Sequence, residues 1–404
     1  MKKNILLISI YYPPILSIAS NRIESFSKYL DKEKYNVYVH TLTADKTYIP
    51  PEGVVVNRVA NDVLFKPLFF TKRTNKLIHY SKVIYNKALK YVFEDEYRGW
   101  IKESLRTLPE FIKENNIDVI ISTYSPSAPH IVALELKKQF PHLRWIADMR
   151  DEMSKGLEHA ASLRKKFEKI ESEIFLHGDA LTTVSGPLVE EFRSMSHNSS
   201  ILFRQIRNGY DFDVEQVETD NAAFTITYTG SFYGERNPTN FLQALNNMLK
   251  KDPTKSVLVQ LVGVKTHFEI PELLREKVVV TASVEHSKAI EMMKESDALL
   301  LIHPTNGRKG VFPGKLFEYL GALKPIIALM DEEDVSAKLV KAANAGYVSD
   351  NANVAKIEMI LEEAYQEWQE KRPREFNIEL IQRHHRKEQA KRLEKVIDEI
   401  CDER

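Results

Sequence analysis

The sequence predicts an α/β fold of two domains, each a parallel sheet covered by helices, and three observations support it. Short apolar runs bounded by turn residues alternate with amphipathic stretches along most of the 404-residue chain, the pattern of parallel strands covered by helices. The alternation is suspended once, over the polar and acidic stretch 206–224, IRNGYDFDVEQVETDNAAF, and then begins again. The length exceeds one ordinary core and suits two domains of roughly 150–200 residues each. The expected division is 1–205, 206–375 and a C-terminal helical segment at 376–404.

In the first domain the expected strands are NILLISI (4–10), NVYVHTL (36–42), DVIIST (118–123), RWIAD (144–148) and ALTTVS (180–185). Each is compact, and several are β-branched enough for a buried strand. After the first, IESFSKYLDK spaces Ile23, Phe26, Tyr29 and Leu30 by three and four residues, so the chain opens with a βα unit. The second series is TITYTGS (225–231), SVLVQLVG (256–263), KVVVTAS (277–283), ALLLIH (298–303) and PIIALM (325–330). Near the end, EQAKRLEKVIDEI (388–400) places Ala390, Leu393, Val396, Ile397 and Ile400 on one helix face.

Composition narrows the function classes. Lys plus Arg equals Asp plus Glu at 57 each, so no global charge attracts nucleic acid. The single cysteine, Cys401, excludes a disulfide framework or a cysteine-based zinc site within the chain, and a reducing, cytoplasmic setting is expected. No metal-ligand spacing occurs, so no metal is expected, and the adjacent His384 and His385 read as solvent-exposed on a charged helix. The basic start MKKNILLISIYYPP reads as a first strand rather than a leader. Runs such as ALLLI at 298–302 fall far short of the roughly 20 residues of a membrane-spanning helix.

One block interrupts the first domain. The stretch at about 62–100 sets Lys66, Lys72, Arg73, Lys76, Lys82, Lys87 and Lys90 beside Phe65, Phe69, Phe70, Tyr80, Tyr85 and Tyr91. Two readings stay open: peripheral contact with an anionic membrane, aromatic groups at the interface, or an ordinary amphipathic helix with its lysines in water.

The most informative stretch is GVFPGKLFEYLG at 310–321. Gly314 starts a helix whose free N–H groups and dipole suit an anion, and Lys315 adds a full charge there. Glu318 follows one turn later on the same side, with Leu316 and Leu320 on the opposing apolar face. A carboxylate beside a phosphate site can accept both hydroxyls of a vicinal diol, so the pair points to a nucleotide. A second phosphate-directed element lies upstream, where TITYTG ends in Gly230-Ser231 and Arg236 follows in a short loop.

With these motifs the chain resembles, over nearly its whole length, the retaining glycosyltransferases of family 4. ISIYYPP followed by Asn21-Arg22 is similar to their opening βα unit, IRNGYD to their interdomain segment, and GVFPGKLFEYLGALKPII to their donor-binding signature. The resemblance implies the GT-B arrangement, two Rossmann-like domains facing across a cleft, with a C-terminal helix crossing back to the N-terminal domain. It implies a donor site of Gly230, Ser231, Arg236, Phe312, Pro313, Gly314, Lys315, Leu316 and Glu318, with Glu318 on the donor ribose and Arg236 in place of a diphosphate-binding lysine. Asn21, Arg22 and Arg150 fall on the acceptor side. His286 matches a histidine often seen in relatives, and a structural role for it stays equally open.

The chain also departs from that pattern. Ser231 stands where an arginine is usual, and Gly310 where the signature's first glutamate touches the donor sugar. Ile15 to Ser20 replace a glycine-rich loop. Arg150, in Asp148-Met149-Arg150-Asp151, stands where many relatives have the histidine of a His-Asp pair next to the reacting sugar, a variant resembling a bacterial subgroup of surface-polysaccharide assembly. An arginine is no general base near neutral pH, so Arg150 is expected as an electrostatic clamp on diphosphate or acceptor, with Asp148 or Asp151 orienting the acceptor hydroxyl. A structural Arg–Asp pair is the alternative.

The expected activity is transfer of a sugar from a nucleotide diphosphate sugar to a glycan or lipid-linked acceptor, with Arg150, Asp148, Asp151, Arg236 and Lys315 as candidate catalytic residues. The donor is a substrate; no cofactor and no nucleic-acid partner are expected, and the setting is the cytoplasm or the inner face of the cell membrane. The alternatives are a nucleotide-sugar epimerase or phosphorylase on the same architecture, or a non-catalytic sugar-nucleotide-binding partner.

Overall fold

A computed structural model describes residues 2–15, 17–62, 81, 96–155, 161–232, 236–265, 268–304 and 310–402. The chain divides into two compact units. The first comprises Met1–Val184, Leu188–Ile206 and Ala390–Arg404, and the second Ser185–Pro187 and Arg207–Gln389.

Seven parallel strands make the first sheet: β1 Lys3–Ile8, β2 Tyr35–Leu42, β3 Val54–Val59, β4 Val119–Tyr124, β5 Arg144–Met149, β6 Ala180–Thr183 and β7 Leu202–Gln205, in the order β3-β2-β1-β4-β5-β6-β7. The second holds β8 Phe224–Thr229, β9 Val257–Val262, β10 Val278–Thr281, β11 Ala298–His303, β12 Ile326–Met330 and β13 Gly346–Ser349, in the order β10-β9-β8-β11-β12-β13. Central strands such as VIISTY, FTITYT and ALLLIH are buried at every position, as helices on both faces require.

All ten expected strands are present. β3, β7 and β13 escaped the sequence reading because each is an edge strand, and LFRQ and GYVS are only four residues long, so no continuous apolar run marks them. In each sheet the order reverses beside the unit's first strand, between β1 and β4 and between β8 and β11. Connections leave these neighbouring strands in opposite directions, which opens a crevice at their carboxyl ends where ligands bind in such folds.

The expected segment 376–404 is not one body. Residues through Gln389 belong to the second unit, and Ala390–Arg404 return to the first. In the last helix, Arg386–Asp402, the predicted face of Ala390, Leu393, Val396, Ile397 and Ile400 is buried with Ile5, Leu7, Tyr35 and Val37. Glu394 and Asp398 on the same helix accept bonds from Asp31 N at 2.8 Å and Tyr35 Oη at 3.1 Å. Most of the basic and aromatic block at 62–100, including all of its named cations and rings, lies outside the described residues. Among the described residues no helix is long and apolar enough to cross a membrane.

If the last helix completes the first core, Ile397→Ala costs about 2–5 kcal/mol through the cavity it leaves. Urea unfolding should show a lower midpoint for this variant and an unchanged one for the exposed Lys395→Ala. Equal midpoints in the two variants would contradict that packing.

Candidate functional site

The second unit's crevice gathers most of the donor-directed residues. Tyr228 and Gly230 stand at the end of β8, His303 at the end of the adjacent β11, and Lys315 in the first turn of the helix Gly314–Gly321. Pro313 begins that helix with φ −65° and ψ 133°, and no side chain caps it, so its N-terminal dipole is not offset by a capping oxygen. Tyr319, one turn on and fully buried, takes the Thr229 N–H on its hydroxyl at 3.0 Å and so fastens the helix to the end of β8.

The Lys315 side chain folds back over that strand end. Its Nζ donates to Tyr228 Oη at 2.8 Å and lies 4.0 Å from the Tyr228 ring centroid. Tyr228 in turn donates its own proton to the Ser231 carbonyl at 3.1 Å. Gly230 has φ +105°, and a Cβ there would stand 2.7 Å from both Cε and Nζ of Lys315, so glycine is required by backbone and by space. Burial, and next the charge of Arg236, push the Lys315 amine down to about 7, with Glu318 partly opposing the shift.

Two pairs orient the remaining groups. Arg236 Nη2 lies 3.0 Å from His303 Nδ1, and His303 Nε2 lies 3.3 Å from the Val311 carbonyl. A carbonyl only accepts, so Nε2 carries the proton and Nδ1 receives the Arg236 bond, a neutral imidazole holding the guanidinium. Glu318 Oε1 meets His286 Nε2 at 2.9 Å, and that bond raises the His286 imidazole above its ordinary value despite partial burial. Ser231, in place of a cation, spends its hydroxyl on the Gly263 carbonyl at 3.1 Å.

Part of the signature is packing. Phe312 and Leu316 are buried in the core, Phe312 against Phe317 with ring centroids 5.5 Å apart, and Pro313 is buried as well. The partly exposed members are Gly314, Lys315 and Glu318. Gly310 has φ +87°, its amide donates to Asp334 Oδ1 at 2.8 Å, and a Cβ would come 2.8 Å from Pro187 Cβ. The local backbone therefore has no room for the glutamate of the resembled family. His384, expected in solvent, is instead 3% exposed and packs on Phe317 at 5.3 Å; it lies in the link between the helix Ile378–Gln382 and the last helix.

In the first unit, Arg22 and Asp148 form a buried pair. Arg22 Nε and Nη2 donate to the Asp148 oxygens at 2.8 and 2.7 Å, and Thr123 and Thr182 add bonds at 3.1 and 2.8 Å. Burial alone would raise the Asp148 carboxyl, but Arg22 and the threonine bond outweigh it and hold it below the ordinary range. At 1% exposure and with four bonds made, Asp148 holds Arg22 in place. Arg22 also donates to the Ile206 carbonyl at 3.0 Å. Arg150 is 8% exposed and donates to the carbonyls of Tyr124 at 2.7 Å and Ser125 at 3.3 Å. Burial lowers its guanidinium, opposed by Asp151 and Asp148. Asp151 is only partly buried, and Asn21 lies in the opening helix Ile18–Tyr29, which Ser17 caps by accepting the Ser20 amide.

Among the described residues no group of three or more His, Cys, Asp or Glu side chains is placed to hold a metal ion. Sequence reasoning missed Tyr228, His303 and Tyr319. Only His303 gave a signal, a polar residue closing an otherwise apolar strand at its carboxyl end.

No model of a protein family and no curated protein matches the sequence. Solved structures do match. A glycosyltransferase from Rickettsia africae is similar at 12% identity over 100% of both chains, with a TM-score of 0.65. The lipopolysaccharide outer core galactosyltransferase WaaB is similar at 12% identity over 98% of this chain and 99% of its own, with a TM-score of 0.60. Arabidopsis thaliana UGT89C1 complexed with UDP-L-rhamnose is similar at 14% identity over 99% of this chain and 100% of its own, with a TM-score of 0.54. At these identities the likeness establishes the fold.

A half-buried lysine whose pKa is depressed destabilises the unliganded protein. The unfolded chain binds the proton more tightly between the two pKa values, so the cost is full below about pH 7 and fades as pH rises toward the unfolded value of about 10.4. Lys315→Met should therefore melt at a higher temperature than the parent at pH 6, with the gap narrowing by pH 9. A parent as stable as the variant at pH 6 would contradict the burial.

Proposed function

With the fold established as two Rossmann-like domains like those of GT-B glycosyltransferases, we propose that this protein is a retaining glycosyltransferase of family 4 that transfers a sugar from a nucleotide diphosphate sugar. The observation that carries the reading is the crevice at β8 and β11, where Arg236, Lys315 and an uncapped helix start meet beside Glu318. Two cations and a helix dipole at a topological switch point form a site for a diphosphate, and Glu318 can accept the hydroxyls of the attached ribose.

In the proposed reaction the bond from the anomeric carbon to the diphosphate oxygen breaks, and a bond to the acceptor oxygen forms on the same face. The acceptor proton passes to the departing phosphate oxygen. Arg236, steadied by His303, and Lys315 meet the negative charge that builds on the leaving group, an interaction stronger in the transition state than before it. Such chemistry needs no strong protein base, which accords with Arg150 standing where a histidine is usual. Gly310 leaves the sugar without the usual carboxylate, so other groups must hold it.

For the acceptor we propose a glycan or lipid-linked saccharide of a bacterial surface polysaccharide, met by the first unit at the cytoplasmic face of the membrane. The Arg150 variant supports this, as does the fold likeness to WaaB, a lipopolysaccharide galactosyltransferase.

Purified protein incubated with a panel of nucleotide sugars and candidate acceptors should release nucleotide. Arg236→Ala should lower that rate by about 10²–10³-fold, the loss typical of one charge-stabilising donor. Nucleotide binding without turnover across the panel would favour the non-catalytic partner, and an epimerised donor formed without acceptor would favour an epimerase.

A further inference from the structure

The Lys315 amine is half-buried over the Tyr228 ring at 4.0 Å and faces a second cation, Arg236. Its hydrogen-bond partner is a phenol, Tyr228 Oη at 2.8 Å, and its Cε and Nζ lie against Gly230 where a Cβ would stand at 2.7 Å. The charged and titratable groups facing it from each packed element, among the described residues, are few. From β8 comes Tyr228; from the following loop comes Arg236, a like charge, which is bonded to the neutral His303 of β11. From its own helix comes Glu318, whose Oε1 is bonded to His286, the first residue of the helix His286–Lys294. The nearby carboxylate is thus already bonded to the imidazole of another element, while the charge of Arg236 repels the ammonium.

A nucleoside diphosphate inverts this balance. Its terminal phosphate is fully ionised at pH 8, since its second pKa is about 6, and it would bring up to three negative charges to the two cations. Among the described residues no carboxylate is hydrogen-bonded to the free amine, whereas the phosphate oxygens of a bound nucleotide would be.

We propose, building on the donor-site reading above, that nucleotide binding is proton-coupled: a nucleoside diphosphate binds the ammonium form of Lys315, and above neutrality each binding event takes up one proton at its Nζ. The proton comes from solvent or buffer and is released again when the nucleotide leaves. The depressed value of about 7 sets where the coupling appears. At pH 8, where the phosphate is already ionised, roughly a tenth of the free protein carries the proton, so uptake approaches about 0.9 per nucleotide; by pH 6 the share taken up by Lys315 falls to about 0.1. Affinity weakens by up to about tenfold per pH unit above pH 7 and is insensitive to this group below pH 6.

The test is calorimetric titration of the full-length protein with UDP, ADP and GDP at pH 8 in buffers of different ionisation enthalpy. Observed heat should vary linearly with that enthalpy at a slope near 0.9 for whichever nucleotide binds. Lys315→Arg, whose charge is permanent, and Lys315→Met should each lower the slope to near zero. Binding without proton uptake in the parent, or uptake that persists in either variant, overturns the coupling and leaves the nucleotide-site reading intact. Failure of all three nucleotides to bind at any pH overturns that reading, and the coupling with it.

Discussion

The close approach of the Lys315 amine to Gly230 is the contact on which the candidate site depends. It requires a glycine with φ +105° at the end of β8, a tyrosine two residues earlier to receive the amine, and a helix whose second residue reaches back over the strand. Tyr319 fixes the helix to Thr229, so the strand end and the helix start move as one body. Without the glycine the lysine has no place to lie, and without the tyrosine its buried amine has no acceptor. The site therefore holds a half-buried amine over an aromatic ring beside a second cation: burial and Arg236 disfavour the ammonium, while the ring face and Glu318 favour it.

The first unit uses charge in the opposite way. Arg22 and Asp148 are 5% and 1% exposed and bonded to each other, which ties the opening helix to β5, to β6 through Thr182, and to the backbone at Ile206. Such a pair costs desolvation to bury and is strongly destabilising to break. Arg150, tied to the carbonyls of Tyr124 and Ser125 at the end of β4, lies beside that fixed frame, and its remaining donor capacity is what an acceptor or phosphate could meet.

Much of the architecture was legible in the sequence because a parallel strand buried on both faces leaves an unbroken apolar run, as VIIST and ALLLI do. Edge strands such as LFRQ and GYVS lack that run and were invisible. In the site, the helix start at Gly314 and the charge at Lys315 could be read from Pro-Gly-Lys. The contacts of that lysine could not, because Tyr228, its bond acceptor, and His303, which holds Arg236, are distant in sequence and meet only where strand order reverses. His384 failed for the same reason: its charged neighbours suggested solvent, while the fold turns it onto Phe317. Gly310 was legible as a missing carboxylate, and its backbone and the nearby Pro187 supply the physical cause.

The central claim is that the crevice at β8 and β11 receives a diphosphate. A structure of the protein with a bound nucleoside diphosphate tests it most directly. The account predicts a phosphate oxygen within about 3.2 Å of Lys315 Nζ and of a backbone N–H in the first turn of Gly314–Gly321, with Arg236 on the same diphosphate and the ribose on Glu318. A nucleotide lodged elsewhere, with Lys315 still bonded to Tyr228 and out of reach of any phosphate, would contradict it.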